Sequence, residues 1–166
     1  QGLPKGDKME LVIQKAVELG VYEVIPLAAK RSVVKLDAKK EKAKLVRWQG
    51  VAEAAAKQSR RSVIPQVRGM MNLKEAVEYA AQMEIRLIPY ELAQGMGKTK
   101  RLISSLQPGQ SVAIFIGPEG GFEESEIEEA RAGGILPVTL GKRILRTETA
   151  GMAGISMVMY EFDELE

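Results

Sequence analysis

Two segments in the second half of the chain share one pattern, and together they constrain the fold more than any other feature. Residues 112–116 and 135–140 are short apolar runs typical of buried strands, and each run ends at a glycine, Gly117 or Gly141. A polar turn then leads into a segment whose apolar residues have helical spacing. In open parallel sheets, ligands bind at such strand ends. The pattern therefore predicts a binding site at these turns.

The composition removes several kinds of chemistry. The 166-residue chain contains no Cys and no His, which excludes disulfides, Cys/His zinc sites, cysteine nucleophiles and Ser-His-Asp triads. Any acid or base must be a carboxylate, a Lys, a Tyr or a backbone group, and we expect no metal. With 45% hydrophobic residues the chain can bury one core. It has no run of about 18 apolar residues and no secretion signal, so we expect a cytoplasmic protein that does not enter a membrane.

The rest of the chain alternates between predicted helices and strands. Asp7 with Glu10, and Asn72 with Glu75, have the spacing of capping boxes that begin helices. Mostly apolar strands that alternate with helices indicate an α/β domain with a parallel sheet covered on both faces. The predicted helices are 9–19, 37–59 with an interruption at Gly50, 72–83, a weak one at 99–106, one that follows Phe122, and a last one that begins with Thr147 or Thr149 as its cap and runs to Tyr160. The other predicted strands are 21–27 and 85–89, and shorter extended pieces are predicted at 32–35 and 62–67. A glycine-containing loop is predicted at 92–98.

Positive charge is concentrated between residues 30 and 61. This stretch holds eleven Lys and Arg residues against three Asp and Glu residues, a net charge of +8, whereas the whole chain carries +2. Cations beside an aromatic residue, as at Arg47 and Trp48, suit a nucleic acid because they release condensed counterions and a ring can stack on a base. A solvated helix face is an equal alternative. The helical spacing of Trp48 with Leu45 and Ala52 favours a core position for the indole ring.

The glycine turn at 117–121 does not match a nucleotide phosphate loop. It lacks the Gly-x-Gly-x-x-Gly spacing of dinucleotide sites and the Lys-Ser/Thr of a triphosphate loop. Glutamates crowd the start of the next helix, where a phosphate would otherwise sit. A ligand with a cationic or neutral head suits this turn better, unless the segment is simply a tight turn before a well-capped helix. Ile144 and Leu145 either wall a pocket for a flat ring or tuck into the core beneath their loop.

Six segments carry a resemblance to a known family: 5–10, 18–20, 31–33, 58–59, 116–122 and 140–150. The last two, Ile-Gly-Pro-Glu-Gly-Gly-Phe and Leu-Gly-Lys-Arg-Ile-Leu-Arg-Thr-Glu-Thr-Ala, are the most specific. Together the segments closely resemble the RsmE family of ribosomal RNA (uridine N3) methyltransferases. These are SPOUT-class enzymes that use S-adenosylmethionine. The resemblance covers essentially the whole chain.

The resemblance implies an architecture and a set of partners. It implies a SPOUT-type α/β fold with a deep trefoil knot near the C-terminus, and an obligate homodimer with the cofactor site at or near the subunit interface. It implies small-subunit (16S) ribosomal RNA as the substrate. In the family a small PUA-like RNA-binding domain precedes the methyltransferase domain, so residues 1–166 correspond to the methyltransferase domain without it.

The resemblance also assigns roles to single residues. Arg146 is expected to stabilise charge on uridine O2 or O4 or to hold a phosphate, and Glu148 and Glu119 are the candidate proton acceptors. An equally plausible interpretation is that Glu148 only caps the last helix and pairs with Arg146. The resemblance assigns Pro89, Tyr90, Gly117, Glu119, Gly120, Leu140, Gly141, Ile144 and Leu145 to S-adenosylmethionine. With RNA as the substrate, the basic segment at 30–61 would hold it, and Arg31, Arg60 and Arg61 are the residues assigned to RNA.

Two other functions are alternatives. A non-catalytic RNA-binding or ribosome-associated module would keep the same fold, but the intact Arg, Thr and Glu pattern of residues 140–150 argues against a decayed site. A nucleotide-dependent α/β enzyme is disfavoured by the missing phosphate-loop glycines and by the acidic start of the following helix.

Overall fold

The computed structural model describes residues 1–93 and 95–162. These residues form six helices and seven short strands, and every strand pair among them is parallel, which confirms the predicted α/β class. Within the same ranges, no helix combines the length and the apolar character needed to cross a bilayer. The helices are α1 (Lys8–Glu18), α2 (Ala38–Gln58), α3 (Leu73–Ala80), α4 (Met96–Ile103), α5 (Glu124–Ala132) and α6 (Thr147–Glu161); the strands are β1 (Glu23–Val24), β2 (Leu27–Ala28), β3 (Gln66–Val67), β4 (Met71–Asn72), β5 (Ile85–Pro89), β6 (Val112–Ile114) and β7 (Leu136–Val138).

The first residues of the chain link two of the three parallel ladders. β1 pairs with β3, β2 pairs with β4, and β5 lies between β6 and β7. The N–H of Leu27 in β2 donates to the carbonyl of Gln1 at 2.8 Å. The N–H of Gly2 donates to the carbonyl of Ile116, after β6, at 2.7 Å. A Cβ at Gly2 would lie 2.5 Å from the nitrogen of Pro118, so only glycine fits between β2 and the turn that follows β6.

Helices cover both faces of β6. Side chains alternate between the two faces of a strand, and Ala113 of β6 and Phe115 directly after it pack into a core cluster built on β2, β5, α3 and α5. On the other face, a Cβ at Gly154 of α6 would lie 3.5 Å from Ile114. A second core cluster fills the space between α1 and α2. Trp48 is 3% exposed within it, which confirms the predicted core position and removes this ring as a base-stacking platform.

The predicted strand at 21–27 is two strands. β1 pairs with β3 and β2 with β4, and the change of partner occurs around Pro26, which has no N–H to give to a ladder. One continuous strand was therefore the wrong prediction. The predicted extended piece at 32–35 forms no strand. The strands at 85–89, 112–116 and 135–140 are present, although the last two are shorter than predicted.

The helix starts test the predicted caps. Asn72 accepts from the N–H of Glu75 at 3.0 Å, and Glu75 accepts from the N–H of Asn72 at 2.8 Å, which confirms this capping box. Asp7 makes no side-chain cap on α1, so that prediction was wrong. The predicted interruption of α2 was also wrong, because α2 runs for 21 residues through Gly50, and a glycine inside a helix costs only about 1 kcal/mol.

Two later helices begin differently from the prediction. α4 starts at Met96, after Gly95 with a φ of +94°, so the loop predicted at 92–98 is shorter; Gln94 in it lies outside the described residues. Neither Thr147 nor Thr149 caps α6, since the cap position is held by Arg146 without a side-chain hydrogen bond. Thr147 is the first residue of the helix, one position after the cap, and its hydroxyl instead donates to the carbonyl of Gly117.

Candidate functional site

A cavity of about 520 Å³ lies at the carboxyl ends of β5, β6 and β7. Because the three strands are parallel, the turns that follow them meet at one edge of the sheet. The turn at 116–122 and the loop at 139–147 line the cavity, together with Glu91 after β5 and Lys8 of α1. The two glycine-ended segments are therefore neighbours in space. The nine residues predicted to bind the cofactor all lie in the cavity wall: Pro89, Tyr90, Gly117, Glu119, Gly120, Leu140, Gly141, Ile144 and Leu145.

The turn after β6 is tight, and Gly117 and Gly120 leave little room for a side chain. The N–H of Gly121 donates to the carbonyl of Pro118 at 2.9 Å. A Cβ at Gly117 would lie 3.1 Å from the backbone of Gly121, which itself has a φ of +67°. Phe122, 5% exposed, anchors the turn in the core. This wall of the cavity is consequently closely packed and offers mainly backbone groups.

The loop after β7 is fixed at its base and open at its tip. The Thr139 hydroxyl donates to the carbonyl of Gly141 at 3.1 Å and accepts from the N–H of Gly141 at 3.2 Å. Gly141 has a φ of +120°, a conformation that only glycine adopts without strain. Leu145 is half-buried but Ile144 is 84% exposed, so the two do not both tuck into the core. The loop cations, all exposed and without an ion-pair partner in the described chain, are Lys142, Arg143 and Arg146.

A buried threonine hydroxyl ties the two segments together. Thr147 is 5% exposed, and its hydroxyl donates to the carbonyl of Gly117 at 2.6 Å. The same oxygen accepts from Nε2 of Gln1 at 2.8 Å. Sequence analysis missed this role because a Thr at the start of a helix is first interpreted as a cap. No local signal separates the two uses of the hydroxyl.

Lys8 lies between the two carboxylates that were assigned as proton acceptors. Its Nζ is 3.2 Å from Oε1 of Glu119 and 3.8 Å from Oε2 of Glu148. The N–H of Lys5 donates to the same Glu119 oxygen at 3.0 Å. Oε2 of Glu148 is buried and makes no hydrogen bond to any described residue. Glu148 thus pairs with Lys8 and neither caps α6 nor pairs with Arg146, which contradicts the alternative interpretation.

Glu119 is held in its ionised form. Burial raises the pKa of Glu119 and is the largest single effect, but hydrogen bonds from the Lys5 N–H, from its own N–H and from Lys8 bring that pKa below its ordinary value. A proton acceptor works best when its pKa lies near the working pH, so Glu119 is the weaker candidate. Lys8, which contributes to this effect, had no role in the sequence analysis, although it lies in the 5–10 segment of the family resemblance.

Replacement of Glu119 by Gln is expected to destabilise the fold at neutral pH and to have less effect in acid. Because its folded pKa is depressed, ionised Glu119 contributes stability above an unfolded pKa of about 4.3, and this is lost as the pH falls through the folded pKa. Urea unfolding of the wild type and Glu119→Gln across this range should give a difference that shrinks toward acid. Glu124→Gln, at an exposed glutamate, is the matched control. A Glu119→Gln difference that stayed constant with pH would contradict the prediction.

Residues 1–159 match the family of RNA methyltransferase domains. The ribosomal RNA small subunit methyltransferase E of Bacillus subtilis is 41% identical over 99% of this chain and 65% of its own length. This chain belongs to the RsmE family. The family member from Mesomycoplasma hyopneumoniae is also 41% identical, over 89% of this chain and 62% of its own length. The chain therefore spans about two thirds of the length of these RsmE relatives.

A solved RsmE structure shares the fold. The crystal structure of ribosomal RNA small subunit methyltransferase E from Neisseria gonorrhoeae, bound to S-adenosylmethionine, matches with a TM-score of 0.82. It is 34% identical, and the match covers 98% of this chain and 64% of that chain. The fold of this chain is thus the α/β fold of the RsmE family.

Three arginines of the basic segment were assigned to RNA, and Arg31 lies beside the turn at 117–121 that lines the cavity. The Arg31 guanidinium donates to the carbonyl of Gly120 at 3.0 Å. Glu126, 2% exposed, holds the preceding backbone in place by accepting the N–H of Lys30 at 2.9 Å and the N–H of Glu123 at 2.9 Å. Arg31 therefore lies against the glycine turn, next to the proposed cofactor residues.

Arg60 and Arg61 lie at the other end of α1. The Arg61 guanidinium donates to the carbonyls of Val17 at 3.1 Å and Val21 at 2.6 Å, which satisfies carbonyl groups at the end of the helix. Because α1 has 11 residues, this end is roughly 16 Å from the Lys8 end. The geometry gives Arg61 a structural role and revises its assignment to RNA. Arg60 is exposed beside it.

Part of the basic segment forms ion pairs with α1 and the residue before it. Arg47 pairs with Glu10 at 2.7 Å, and Lys44 lies 3.9 Å from Asp7. These pairs place the first half of α2 beside the first half of α1, so the two helices run in the same direction. The exposed lysines of the segment without an ion-pair partner in the described chain are Lys35, Lys39, Lys42 and Lys57.

Proposed function

We propose that this chain is the methyltransferase domain of an S-adenosylmethionine-dependent enzyme that methylates N3 of a uridine in small-subunit ribosomal RNA. The observation that carries the proposal is the assembly of the two specific family segments, 116–122 and 140–150, around one cavity. A non-catalytic RNA-binding module would not need this cavity. The relative from Neisseria gonorrhoeae, which has the same fold, was solved with S-adenosylmethionine bound.

The cavity residues fit S-adenosylmethionine. A volume of about 520 Å³ lies in the range of about 300–1,000 Å³ that is usual for small-molecule sites. Leu140 and Leu145 offer apolar surface for a purine ring, and ionised Glu119 places a negative charge beside a cationic ligand. Arg146 offers the opposite charge, for the RNA substrate. The residues proposed to hold the cofactor are eight of the nine wall residues predicted from the sequence, because the ninth, Ile144, is 84% exposed at the mouth of the cavity.

The reaction requires a proton acceptor and a stabiliser of negative charge. S-adenosylmethionine, when bound, supplies an electrophilic methyl group. Uridine N3 must lose its proton before it can attack, and we assign that proton to Glu148, whose Oε2 makes no hydrogen bond to a described residue. The Nζ of Lys8 lies 3.8 Å from this oxygen and must turn aside to expose it. Arg146 then stabilises the charge that develops on uridine O2 or O4.

RNA would approach over the mouth of the cavity. Arg31 lies against the turn at 117–121, and the loop after β7 adds three exposed cations. Lys and Arg at such a surface bind phosphates and release counterions. Arg60 extends the same basic segment to the far end of α1. A surface that binds several phosphates therefore suits an RNA substrate better than a small acidic substrate.

The proposed fold includes the trefoil knot of the family. β6 and β7 lie on opposite sides of β5, yet Thr147, nine residues after the end of β7, reaches the turn that follows β6. The chain must therefore cross the end of β5 to start α6. We propose that it does so by passing through the loop between β5 and β6.

The proposed assembly is a homodimer formed through α1 and α6. In this chain the end of α1 packs against α6, since a Cβ at Gly20, two residues after α1, would lie 2.5 Å from Cε of Met159. Leu11 of α1 is 42% exposed and Tyr160 of α6 is 74% exposed. These side chains leave an apolar surface for a second copy. The proposed whole protein is cytoplasmic and adds the PUA-like domain that precedes this domain in the family.

Calorimetric titration with S-adenosylmethionine, S-adenosylhomocysteine and NAD tests the proposal. We expect saturable binding of the two sulfur nucleosides and none of NAD. Gly141→Ala should weaken that binding about tenfold or more, because φ at this cavity residue is +120°. Gly109→Ala is the matched control, since Gly109 also has a positive φ, of +88°, but lies outside the cavity wall. A folded protein that bound neither sulfur nucleoside would favour the non-catalytic RNA-binding module.

A further inference from the structure

We propose that Ile144 is a wedge that holds the target uridine out of its stack in the RNA. The inference rests on the proposed function, because N3 is the atom through which uridine donates a hydrogen bond to a paired base. Methylation at N3 therefore needs a base that is unpaired and turned outward, as in other enzymes that act on bases. An apolar side chain inserted between neighbouring bases keeps them apart while the target is displaced.

Ile144 is placed where such a wedge is needed. It is 84% exposed, more than any other large hydrophobic side chain described as exposed, and it belongs to the wall of the cavity. A single exposed aliphatic residue on a surface needs no explanation. An isoleucine at the mouth of a cavity that would hold a methyl donor is different, because the substrate base must pass this point.

Phosphate-binding groups surround this isoleucine. Arg143 precedes it and Arg146 follows two positions later, both exposed and without an ion-pair partner in the part of the chain that the structure describes. α6 begins immediately afterwards without a side-chain cap, so its first N–H groups point toward the same place. A second copy of the chain would bring an equally cationic loop. Charge therefore favours RNA as the partner of Ile144.

The loop that carries Ile144 is held at both ends. At its start, the Thr139 hydroxyl makes two hydrogen bonds to Gly141, and at its end the Thr147 hydroxyl donates to the carbonyl of Gly117. The tip between them is exposed. A wedge must keep its shape against the stacking of the bases that it separates, and anchoring at both ends provides that resistance.

The test uses two RNA hairpins that differ only in what lies opposite the target uridine. In one hairpin this is an adenine that pairs with the uridine, and in the other it is an abasic site. A 2-aminopurine next to the uridine reports unstacking by fluorescence. With wild type and S-adenosylhomocysteine, we expect fluorescence to rise on binding to both hairpins. With Ile144→Ser, the rise on the paired hairpin should be lost and its methylation with S-adenosylmethionine should fall about tenfold or more, while the abasic hairpin changes by less than about twofold. Ile144→Met should give the same fluorescence rise and the same methylation rate as wild type on the paired hairpin.

Three measurements separate the alternatives. Val46→Ser, at a 70% exposed aliphatic residue of α2, is the matched control and should behave as wild type. An Ile144→Ser variant that lost signal equally on both hairpins, bound S-adenosylhomocysteine more weakly, or changed its oligomeric state by light scattering would overturn the wedge. The absence of a fluorescence rise with wild type would also overturn it. Failure of wild type to bind the sulfur nucleosides would instead reject the proposed function itself.

Discussion

Arg146→Ala is expected to lower kcat about 100-fold, while the affinity for S-adenosylmethionine changes by less than about threefold. The reason is that a cation placed where negative charge develops acts mainly in the transition state, and removal of one such group typically costs about 100-fold or more. Arg146 is exposed at the mouth of the cavity and has no ion-pair partner among residues 1–93 and 95–162, so its loss should leave the fold intact. Single-turnover methylation together with calorimetry measures the two quantities separately.

Arg143→Ala is the control for this prediction. Arg143 lies in the same loop and is equally exposed, but we assign it to a phosphate. Its replacement should raise KM and reduce the slope of log affinity against log salt by about 1, with little change in kcat. The assignment of Arg146 fails if its variant turns over as fast as Arg143→Ala on intact RNA.

Thr147→Val is expected to lower both stability and cofactor affinity. Valine keeps the shape of the side chain but removes the hydroxyl, so the carbonyl of Gly117 and the amide of Gln1 lose the partners that they have at 2.6 and 2.8 Å. A buried group left unsatisfied costs about 1–3 kcal/mol. Because the same hydroxyl holds the two cavity segments together, we also expect about tenfold weaker binding of S-adenosylmethionine. Urea unfolding and calorimetry on one preparation would measure the two effects.

Thr149→Val provides the comparison on the same helix. Thr149 is exposed and makes no side-chain hydrogen bond to another described residue, so its replacement should change the free energy of unfolding by less than about 0.5 kcal/mol. Equal effects of the two substitutions would mean that the Thr147 hydroxyl has no special role. If Thr147→Val lowered the stability but not the cofactor affinity, the hydroxyl would be needed for the fold and not for the site.

The parts of the site that were predictable depend on short stretches of sequence. An apolar run, a glycine and a helical segment follow one another at 112–122 and again from 135 onward, and this local pattern predicts a strand end with a turn. The Asn72 and Glu75 capping box was predictable for the same reason, because the whole motif lies within four residues of sequence. The structure confirmed the α/β class and that cap, and it placed the two turns around one cavity.

The parts that sequence analysis missed depend on contacts between distant residues. Lys8 and Glu119 are 111 positions apart, and Thr147 reaches Gly117 across 30. The change of strand partner around Pro26 likewise depends on which of β3 and β4 lies alongside. Arg61 illustrates the same limit, because a charge count cannot distinguish a guanidinium that binds phosphate from one that binds helix carbonyls.

The Thr147 link also determines when the cavity can form during folding. Part of its wall comes from Lys8 in the first helix, and another part is held by a hydroxyl at the start of the last helix. Contacts between such distant parts of a chain form slowly, because the chain loses the entropy of closing a long loop before the contact can stabilise it. A partly synthesised chain that ended before α6 would expose both glycine turns without joining them. Cofactor binding should therefore be among the last properties that the folding chain acquires.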